Sequence, residues 1–308
     1  MPIWDADVEL TPEAAAGLID RQFPALAPAH LEALGSGWDN TAYRVNGRFV
    51  FRFPRRQIAA ALIEREARVL PLLAPHLPLP IPAPEFVGAP GDGYPYPFAG
   101  YPHLPGVTAC RIPWTEAERE SLAAPLGRFL AALHALPVRG ATREWAPGDE
   151  FERANVARRV PMVREKLEGV LRAEVEGAGL TVAALRERVL ALADTPLPRE
   201  PPCWVHGDLY ARHLLADADH NLCGVIDWGD VHLGDRGVDL SIAFSFLPPT
   251  ARPAFLRAYG LPVDTALWDR ARFRGLFYGV ILTDYGRDRG DAPLREAGLY
   301  ALRNAAQD

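Results

Sequence analysis

Lysine is almost absent from this chain of 308 residues: Lys166 is the only one, and arginine makes up the rest of the 33 basic side chains. A cation needed in the N-terminal half must therefore come from arginine. Basic charge is not in excess either, because 39 acidic residues leave a formal net charge of −6. Proteins that bind nucleic acid usually carry a basic stripe, so we expect no nucleic-acid partner.

Cysteine and long apolar runs are scarce as well. The three cysteines, Cys110, Cys203 and Cys223, are scattered without CxxC spacing, which is typical of reduced thiols in a cytoplasmic protein. Apolar runs such as 58–63 fall far short of the roughly 20 residues that span a bilayer, so we expect no membrane partner. The first five residues include one acid, Asp5, and lack the basic start of a signal peptide.

What the chain does contain is an ordinary globular composition, 49% hydrophobic and 23% charged, at a length that suits two lobes. After a helix at 11–22, residues 31–53 read as short strands. The Gly-Ser-Gly segment 35–37 is predicted to form the first turn, and Asn-Gly at 46–47 a type I′ hairpin. A helix follows at about 57–70, and Pro71 is expected to limit it.

Beyond the second helix the pattern becomes mainly helical, with a few short strands. Short strands are expected near 85–87 and 98–104, and again at 203–205, 214–215 and 225–226, beside a mainly helical pattern. The helices are predicted at about 115–136, 149–172, 181–193, 236–246, 250–259, 264–286 and 292–304. The fold class is therefore α+β, with a small antiparallel N-lobe of residues 1–104 and a larger, mainly helical C-lobe of residues 105–308.

Two carboxylates stand at the ends of neighbouring apolar strands. Asp208 follows a strand that ends at Val205, and a carboxylate there is able to accept a hydroxyl proton or hold the hydroxyl in line. His213 lies five positions later on the same loop. Asp227 follows the apolar segment 222–226, and a lone carboxylate at a buried strand end is costly unless it meets a cation. Mg²⁺ is the natural candidate, since it takes one or two carboxylates plus phosphates.

These motifs resemble those of the aminoglycoside phosphotransferase family, a relative of the protein kinases. His-Gly-Asp at 206–208, Ile-Asp-Trp-Gly at 226–229 and Gly-Asp-Arg-Gly-Val-Asp-Leu at 234–240 appear in the family's order, and the likeness extends over about 31–290. It implies a protein-kinase-like two-lobe fold. It also implies Mg²⁺ as cofactor, ATP or GTP as co-substrate, and a small-molecule hydroxyl acceptor, most simply an antibiotic of the macrolide or aminoglycoside type.

The resemblance also assigns roles to individual residues. It makes Asp208 the catalytic base, His206 a residue that braces the loop, Asp227 a metal ligand and Asp239 a structural acid that supports the catalytic loop. The family's metal-binding asparagine position holds His213 here. That histidine is able to bind the metal directly, bind it through water, or hydrogen-bond Asp208. A loop of this form looks like that of the macrolide-kinase branch.

The family's phosphate-binding lysine is replaced as well. The matching position is Arg52, which strand alternation places on the opposite face from Phe51 and Phe53. A guanidinium keeps the positive charge and binds phosphate with two hydrogen bonds. Its expected partner is Glu66, in preference to Glu64.

Two further nucleotide contacts follow from the resemblance, and the role of Trp228 stays open. Gly35, Ser36 and Gly37 stand where a nucleotide-covering loop belongs. The backbone of His103 and Leu104 occupies the hinge position and would hydrogen-bond the purine base. Trp228 belongs either to the core or to the nucleotide pocket.

Two other functions compete with a small-molecule kinase. The departures at His213 and Arg52 suit a nucleotide-binding pseudokinase or interaction module without turnover. A protein kinase is disfavoured, because the segment between Asp227 and the helix near 236 is too short for an activation loop. A monomer or a dimer is expected.

Overall fold

A computed structural model describes residues 7–36, 39–138, 140 and 142–307. The chain divides into two compact units. The N-terminal unit comprises the chain up to Pro75 with Pro80–Leu104 and Trp228–Asp230, and the C-terminal unit comprises His76–Leu79, Pro105–Asp227 and Val231 onward.

The N-terminal unit is built on a five-stranded antiparallel sheet in the order β1-β2-β3-β5-β4. Its strands are β1 Leu31–Ser36, β2 Asn40–Val45, β3 Phe49–Pro54, β4 Phe86–Gly88 and β5 Phe98–Pro102, and its helices are α1 Pro12–Gln22 and α2 Gln57–Leu73. Every second residue of β3 is buried, so Phe51 and Phe53 enter an aromatic core in which the Phe53 and Phe98 rings lie 4.7 Å apart.

Several local predictions for this unit are confirmed. The helix expected at 11–22 is present as α1, which the Thr11 side chain caps, with Pro12 at its first position. Asn46 and Gly47 both have positive φ, 51° and 68°, as a type I′ turn requires. In contrast, the prediction that Pro71 limits the second helix is wrong, because α2 continues to Leu73, which is buried. Burying that last turn outweighs the backbone hydrogen bond that proline cannot donate.

The prediction that Gly35 and Ser36 form the first turn is also wrong. Both belong to β1, and the register between β1 and β2 shifts at Ala33 and Gly35. Gly35 adopts φ 132° there, a backbone conformation that only glycine reaches easily. A glycine therefore serves a β-bulge here as well as it would serve a turn. Gly37, the last residue of the predicted turn, lies outside the described residues.

The C-terminal unit is mainly helical, with two small antiparallel sheets in the orders β6-β8-β9 and β10-β7. The strands are β6 Val107–Thr108, β7 Cys203–Val205, β8 Leu214–Ala216, β9 Leu222–Val225 and β10 His232–Gly234. The helices are α3 Glu116–Ser121, α4 Ala123–Ala135, α5 Thr142–Trp145, α6 Val156–Glu168, α7 Arg172–Gly177, α8 Val182–Ala191, α9 Gly237–Leu240, α10 Ile242–Ser245, α11 Arg252–Tyr259, α12 Thr265–Arg289 and α13 Ala292–Ala306.

Long predicted helices prove to be interrupted. The one expected at 115–136 restarts after Leu122. The break puts Pro125 into the first turn of a new helix, where a missing N–H needs no partner. The one expected at 149–172 begins only after Asn155, whose side chain caps α6, and ends at Gly169. The helix expected at 236–246 is likewise two short helices, α9 and α10.

The fold class is confirmed: an antiparallel sheet unit and a mainly helical unit make an α+β protein. No helix among the described residues is both long and apolar enough to cross a membrane.

Candidate active site

A buried carboxylate on α9 holds the start of the segment 206–213. Asp239 accepts hydrogen bonds from the backbone N–H of His206 (2.7 Å) and of Gly207 (3.0 Å), and its Oδ2 lies 3.2 Å from His134 Nε2. Burial raises the pKa of Asp239, but the hydrogen bond from His134 and the neighbouring histidines outweigh it, so the pKa lies below its usual value. The side chain is therefore an ionised anchor for the loop, the arrangement that a supporting structural acid requires.

Behind Asp239 lies a second layer that the sequence did not reveal. His134 of α4 contacts the Tyr259 hydroxyl through Nδ1 (2.8 Å), and Arg236 donates to that same hydroxyl (3.3 Å). The Tyr259 hydroxyl therefore donates a hydrogen bond to Nδ1 of His134. The ring proton then lies on Nε2, and Nε2–H donates to Asp239. His134 stands 105 positions from Asp239, and no motif or spacing joins them.

His206 connects the two motif segments. Its ring is fully buried, and Nδ1 accepts the backbone N–H of Asp208 at 3.3 Å. Nε2 then carries the proton and donates to the carbonyl of Ile226 (3.0 Å), the residue before Asp227. Burial lowers the pKa of His206, so the ring is a neutral brace between the loop and the end of β9.

Asp208 presents a partly exposed carboxylate, 29% accessible. Its Oδ1 accepts a hydrogen bond of 3.0 Å from the hydroxyl of Tyr278 on α12. Tyr278 was not predicted as a site residue. It lies 70 positions away from Asp208, and its place in a long apolar helix predicts only core packing.

His213 reaches both carboxylate segments. Its Nδ1 donates to the backbone carbonyl of Asp208 at 2.7 Å, and its Nε2 lies 3.2 Å from Asp227 Oδ2. Nδ1 is 3.8 Å from Asp208 Oδ2, so the hydrogen bond to Asp208 involves the backbone and not the carboxylate. Burial lowers the pKa of His213, but Asp227 more than compensates, and the pKa lies above its usual value.

Asp227 itself has φ 64°, and its carboxylate is 53% accessible. A non-glycine residue in this conformation marks a strained, specialised position. The carboxylate and His213 Nε2 converge, so a divalent cation is able to meet one hard oxygen and one nitrogen there. No group of three or more His, Cys, Asp or Glu side chains that could hold a metal occurs among the residues described. This sparse donor set fits Mg²⁺, which takes few protein ligands and completes its shell with phosphates and water.

In the N-terminal unit, Arg52 and Glu66 form the predicted pair. Arg52 Nη1 lies 2.8 and 3.0 Å from the two carboxylate oxygens of Glu66, which also accepts a 2.6 Å hydrogen bond from the Tyr101 hydroxyl. Glu66 is 1% exposed, whereas Glu64 lies on the exposed side of α2. A Cβ at Gly229 would lie 3.6 Å from Glu66 Oε1, so the glycine of the second motif borders this pair.

The structure also bears on the predicted roles of the hinge residues His103 and Leu104 and of Trp228. The backbone N–H of His103 donates to the carbonyl of Arg48 (2.8 Å), so this amide continues the sheet and does not face a purine base. The N–H of Leu104 is then the remaining backbone donor of this dipeptide for that role. Trp228 has no exposed surface, which assigns its side chain to the core.

Comparison with known proteins identifies the family of the chain. Residues 30–276 match the phosphotransferase enzyme family. Over 158 residues the chain is 32% identical to an aminoglycoside 3'-phosphotransferase of Streptomyces fradiae, a match that covers 51% of this chain and 55% of that protein. The chain thus spans about half the length of this curated relative.

Solved structures match over nearly the whole chain. The GDP and kanamycin complex of APH(2")-IIia has a TM-score of 0.65 and 25% identity, covering 94% of this chain and 97% of that one. The apoenzyme of a macrolide 2'-phosphotransferase from Brachybacterium faecium has a TM-score of 0.60 and 26% identity, with the same coverage. These likenesses confirm the kinase-like fold and the resemblance to aminoglycoside phosphotransferases. The chain belongs to the phosphotransferase enzyme family.

Proposed function

We propose that this protein transfers the γ-phosphoryl group of ATP or GTP to a hydroxyl of a small, antibiotic-like molecule, a macrolide or an aminoglycoside. The observation that carries the proposal is the cluster of Asp208, His213 and Asp227. In it the buried His213 imidazole bonds the backbone carbonyl of Asp208 at 2.7 Å and lies 3.2 Å from the Asp227 carboxylate, and both carboxylates are accessible. A purely structural role does not account for two exposed carboxylates beside a buried histidine.

Asp208 is the catalytic base in this proposal. Phosphoryl transfer needs the acceptor hydroxyl to be held in line and relieved of its proton as the new P–O bond forms. The Asp208 carboxylate accepts that proton, while the bond between the γ-phosphorus and the nucleotide's β,γ-bridging oxygen breaks. His206 and Asp239 do not touch the reacting atoms, since both are buried. Their hydrogen bonds fix the loop that presents Asp208.

Asp227 and His213 are the proposed ligands for Mg²⁺. The ion, when bound, neutralises developing charge on the phosphate oxygens. The nucleotide is held by the N-terminal unit in this proposal. Arg52, oriented by Glu66, binds phosphate oxygens, and the backbone of Gly35, Ser36 and Leu104 contacts the phosphates and the base.

The names of relatives and the positive charge near Tyr278 narrow the choice of acceptor molecule. Relatives act on aminoglycosides and macrolides by name. Aminoglycosides are polycations, yet Arg274 lies over the Tyr278 ring and Arg159 lies over the neighbouring Phe277 ring. Burial, followed by the charges of Arg274, Arg158 and Arg153, lowers the pKa of Arg159. Such crowding of positive charge favours an acceptor with few cationic groups, such as a macrolide, over a polycation.

Labelled nucleotide supplies the decisive test. The pure protein is incubated with γ-labelled ATP or GTP and Mg²⁺, together with a panel of macrolides, aminoglycosides, choline and sugars. We expect label in at least one acceptor, and no transfer by Asp208→Asn with nucleotide affinity within about threefold of the wild type. Asp219→Asn, an exposed loop carboxylate, is the control. Absence of transfer to every acceptor would refute the proposal, and nucleotide binding without turnover would establish the non-catalytic module instead.

Location and assembly are secondary proposals. Cys110, Cys203 and Cys223 are all free thiols, which supports a cytoplasmic protein. We propose a monomer or a dimer, which light scattering would distinguish from larger assemblies.

A further inference from the structure

A tyrosine from a remote helix holds the proposed base. Tyr278 lies in the middle of α12, is 2% exposed, and donates its hydroxyl proton to Asp208 Oδ1 over 3.0 Å. It belongs to neither of the two motif segments, and phosphoryl transfer as described above assigns it no part.

Arg274 fixes the direction in which the Tyr278 hydroxyl proton points. Arg274, one turn earlier on α12, donates from Nη2 to the Tyr278 hydroxyl at 3.1 Å. A guanidinium has no acceptor, so the single hydroxyl proton cannot point toward Arg274 and is directed to Asp208. The guanidinium is itself held by ring contacts, 4.5 Å from the Tyr278 centroid and 4.3 Å from that of Phe277.

The Tyr278 ring packs against another aromatic ring of the site. The Tyr210 ring lies between Tyr278 and His213, with centroid distances of 5.2 and 4.2 Å. Burial, together with the Asp208 charge, raises the pKa of Tyr278 well above its usual value against the opposing effect of Arg274. The hydroxyl therefore stays protonated, and remains a donor, throughout any workable assay range.

We propose that Tyr278, oriented by Arg274, is a positioning residue for Asp208. The proposal rests on the function proposed above. A hydrogen bond to one carboxylate oxygen favours the ionised form of the acid and restricts rotation of the side chain. Asp208 is thereby held in the orientation in which it accepts the acceptor's proton.

Tyr278→Phe keeps the ring and removes only the hydroxyl. With whichever panel acceptor the wild type phosphorylates, we expect kcat to fall about 10- to 100-fold while both KM values stay within about threefold. We also expect the acidic limb of the kcat profile to move to higher pH. Tyr300→Phe on α13, whose hydroxyl bonds Glu116 at the surface, should leave all of these values unchanged.

The other titratable groups facing Asp208 are unchanged in Tyr278→Phe: His206 and His213 from the catalytic loop, and Tyr210 beside them. A shift in the acidic limb of the kcat profile therefore reports the loss of the Tyr278 hydroxyl. A merely structural role of Tyr278 would lower stability and leave that limb in place. Arg274→Met should give a smaller fall in kcat and should move the acidic limb in the same direction, because the Tyr278 hydroxyl is then free to turn away from Asp208. A kcat within twofold of the wild type and an unmoved limb in Tyr278→Phe would overturn the inference.

Carbon-13 NMR of the aspartate carboxyls makes the test independent of turnover. The Asp208 signal is assigned by its loss in Asp208→Asn, and it should titrate at higher pH in Tyr278→Phe than in the wild type. Coincident titration curves would overturn the positioning role even in an active enzyme. If the wild type transfers nothing but the curves separate, the proposed function fails and the contact between Tyr278 and Asp208 stands.

Discussion

Arg52 Nη1 lies 2.8 Å from Glu66 Oε1, and this pair joins β3 to α2 inside the N-terminal unit. Glu66 is almost fully buried and Arg52 is 21% exposed at its side chain, so the ion pair is poorly screened by solvent. It occupies the place that a lysine–glutamate pair holds in the family that the motifs resemble. In the proposed function, Arg52 binds the nucleotide phosphates while it remains anchored to this carboxylate.

Replacing that arginine tests its role in nucleotide binding. In Arg52→Met we expect the KM for the nucleotide to rise about 10- to 100-fold, because one charge-assisted hydrogen bond contributes about 1.5–3 kcal/mol. The KM for the acceptor should change less than twofold. Steady-state kinetics with each substrate varied in turn separates the two effects.

The neighbouring strand offers a matched control. Arg44 on β2 pairs with Glu32 at 2.6 Å, but that glutamate is 63% exposed. Arg44→Met should therefore leave the nucleotide KM unaltered. If Arg52→Met binds nucleotide as tightly as the wild type, the cation for the phosphates must be sought elsewhere.

A second prediction concerns the choice of metal. Histidine nitrogen is a softer donor than the amide oxygen found at this position in the family, and it favours metals such as Mn²⁺ relative to Mg²⁺. We expect His213→Asn to lower the ratio of activity with Mn²⁺ to activity with Mg²⁺ about 3- to 10-fold. Transfer rates measured across a titration of each metal supply the ratio.

His220 provides the control, since it bonds Glu118 at 2.8 Å and lies outside the site. His220→Asn should keep the wild-type ratio. An unchanged ratio in His213→Asn would mean that the imidazole holds the loop through Asp208 and does not meet the metal.

The parts of the site that were predictable from sequence are local. Asp208 and His213 are separated by five positions, and Asp227 follows a strand that pairs with β8, so motif and strand patterns bring them together. The Arg52–Glu66 pair was also predicted, because the family resemblance marked the position of Arg52, strand alternation set its face, and one helix supplied only two candidate acids.

Other parts depended on tertiary packing. Tyr278 and His134 reach the site from helices 70 and 105 positions away from their partners, and both read as ordinary core residues in sequence. Gly35 was misassigned because positive φ suits a bulge and a turn equally. The long helices were overextended because an apolar period persists across a break that Pro125 or Gly169 introduces.

Asp239 gives a prediction about stability and pH. In Asp239→Asn an amide replaces the carboxylate that accepts two backbone N–H groups and His134, so we expect the free energy of unfolding to fall by about 2–4 kcal/mol near pH 7. The folded-state pKa of Asp239 lies below its usual value of 3.8. Its contribution is therefore complete above that value and is lost as the pH falls below it.

Urea unfolding followed by fluorescence at a series of pH values measures both effects. The difference between wild type and Asp239→Asn should be constant from pH 7 to about 5 and should shrink below about pH 4. Asp219→Asn, at an exposed loop, should track the wild type at every pH. A difference that persists undiminished at low pH would show that Asp239 acts through packing and not through its charge.

The last prediction concerns acceptor charge at α6. Arg159 lies over the Phe277 ring at 5.9 Å, and its Nη2 donates to the Phe151 carbonyl. If the acceptor lies against this face, Arg159→Glu should raise kcat/KM for kanamycin, a polycation, about 3- to 10-fold, because a nearby repulsive charge becomes attractive. The value for a macrolide should change less than twofold.

Arg158 is the matched control for this change. It is the adjacent residue on α6, it pairs with Glu152 at 3.0 Å, and its side chain is 52% exposed. Arg158→Glu alters the net charge equally but from a solvated position, so screening should limit its effect on either acceptor to less than twofold. Equal responses of the two variants would show that only overall charge matters. A kanamycin preference specific to Arg159→Glu would place the acceptor beside α6 and support the proposed preference for less cationic acceptors.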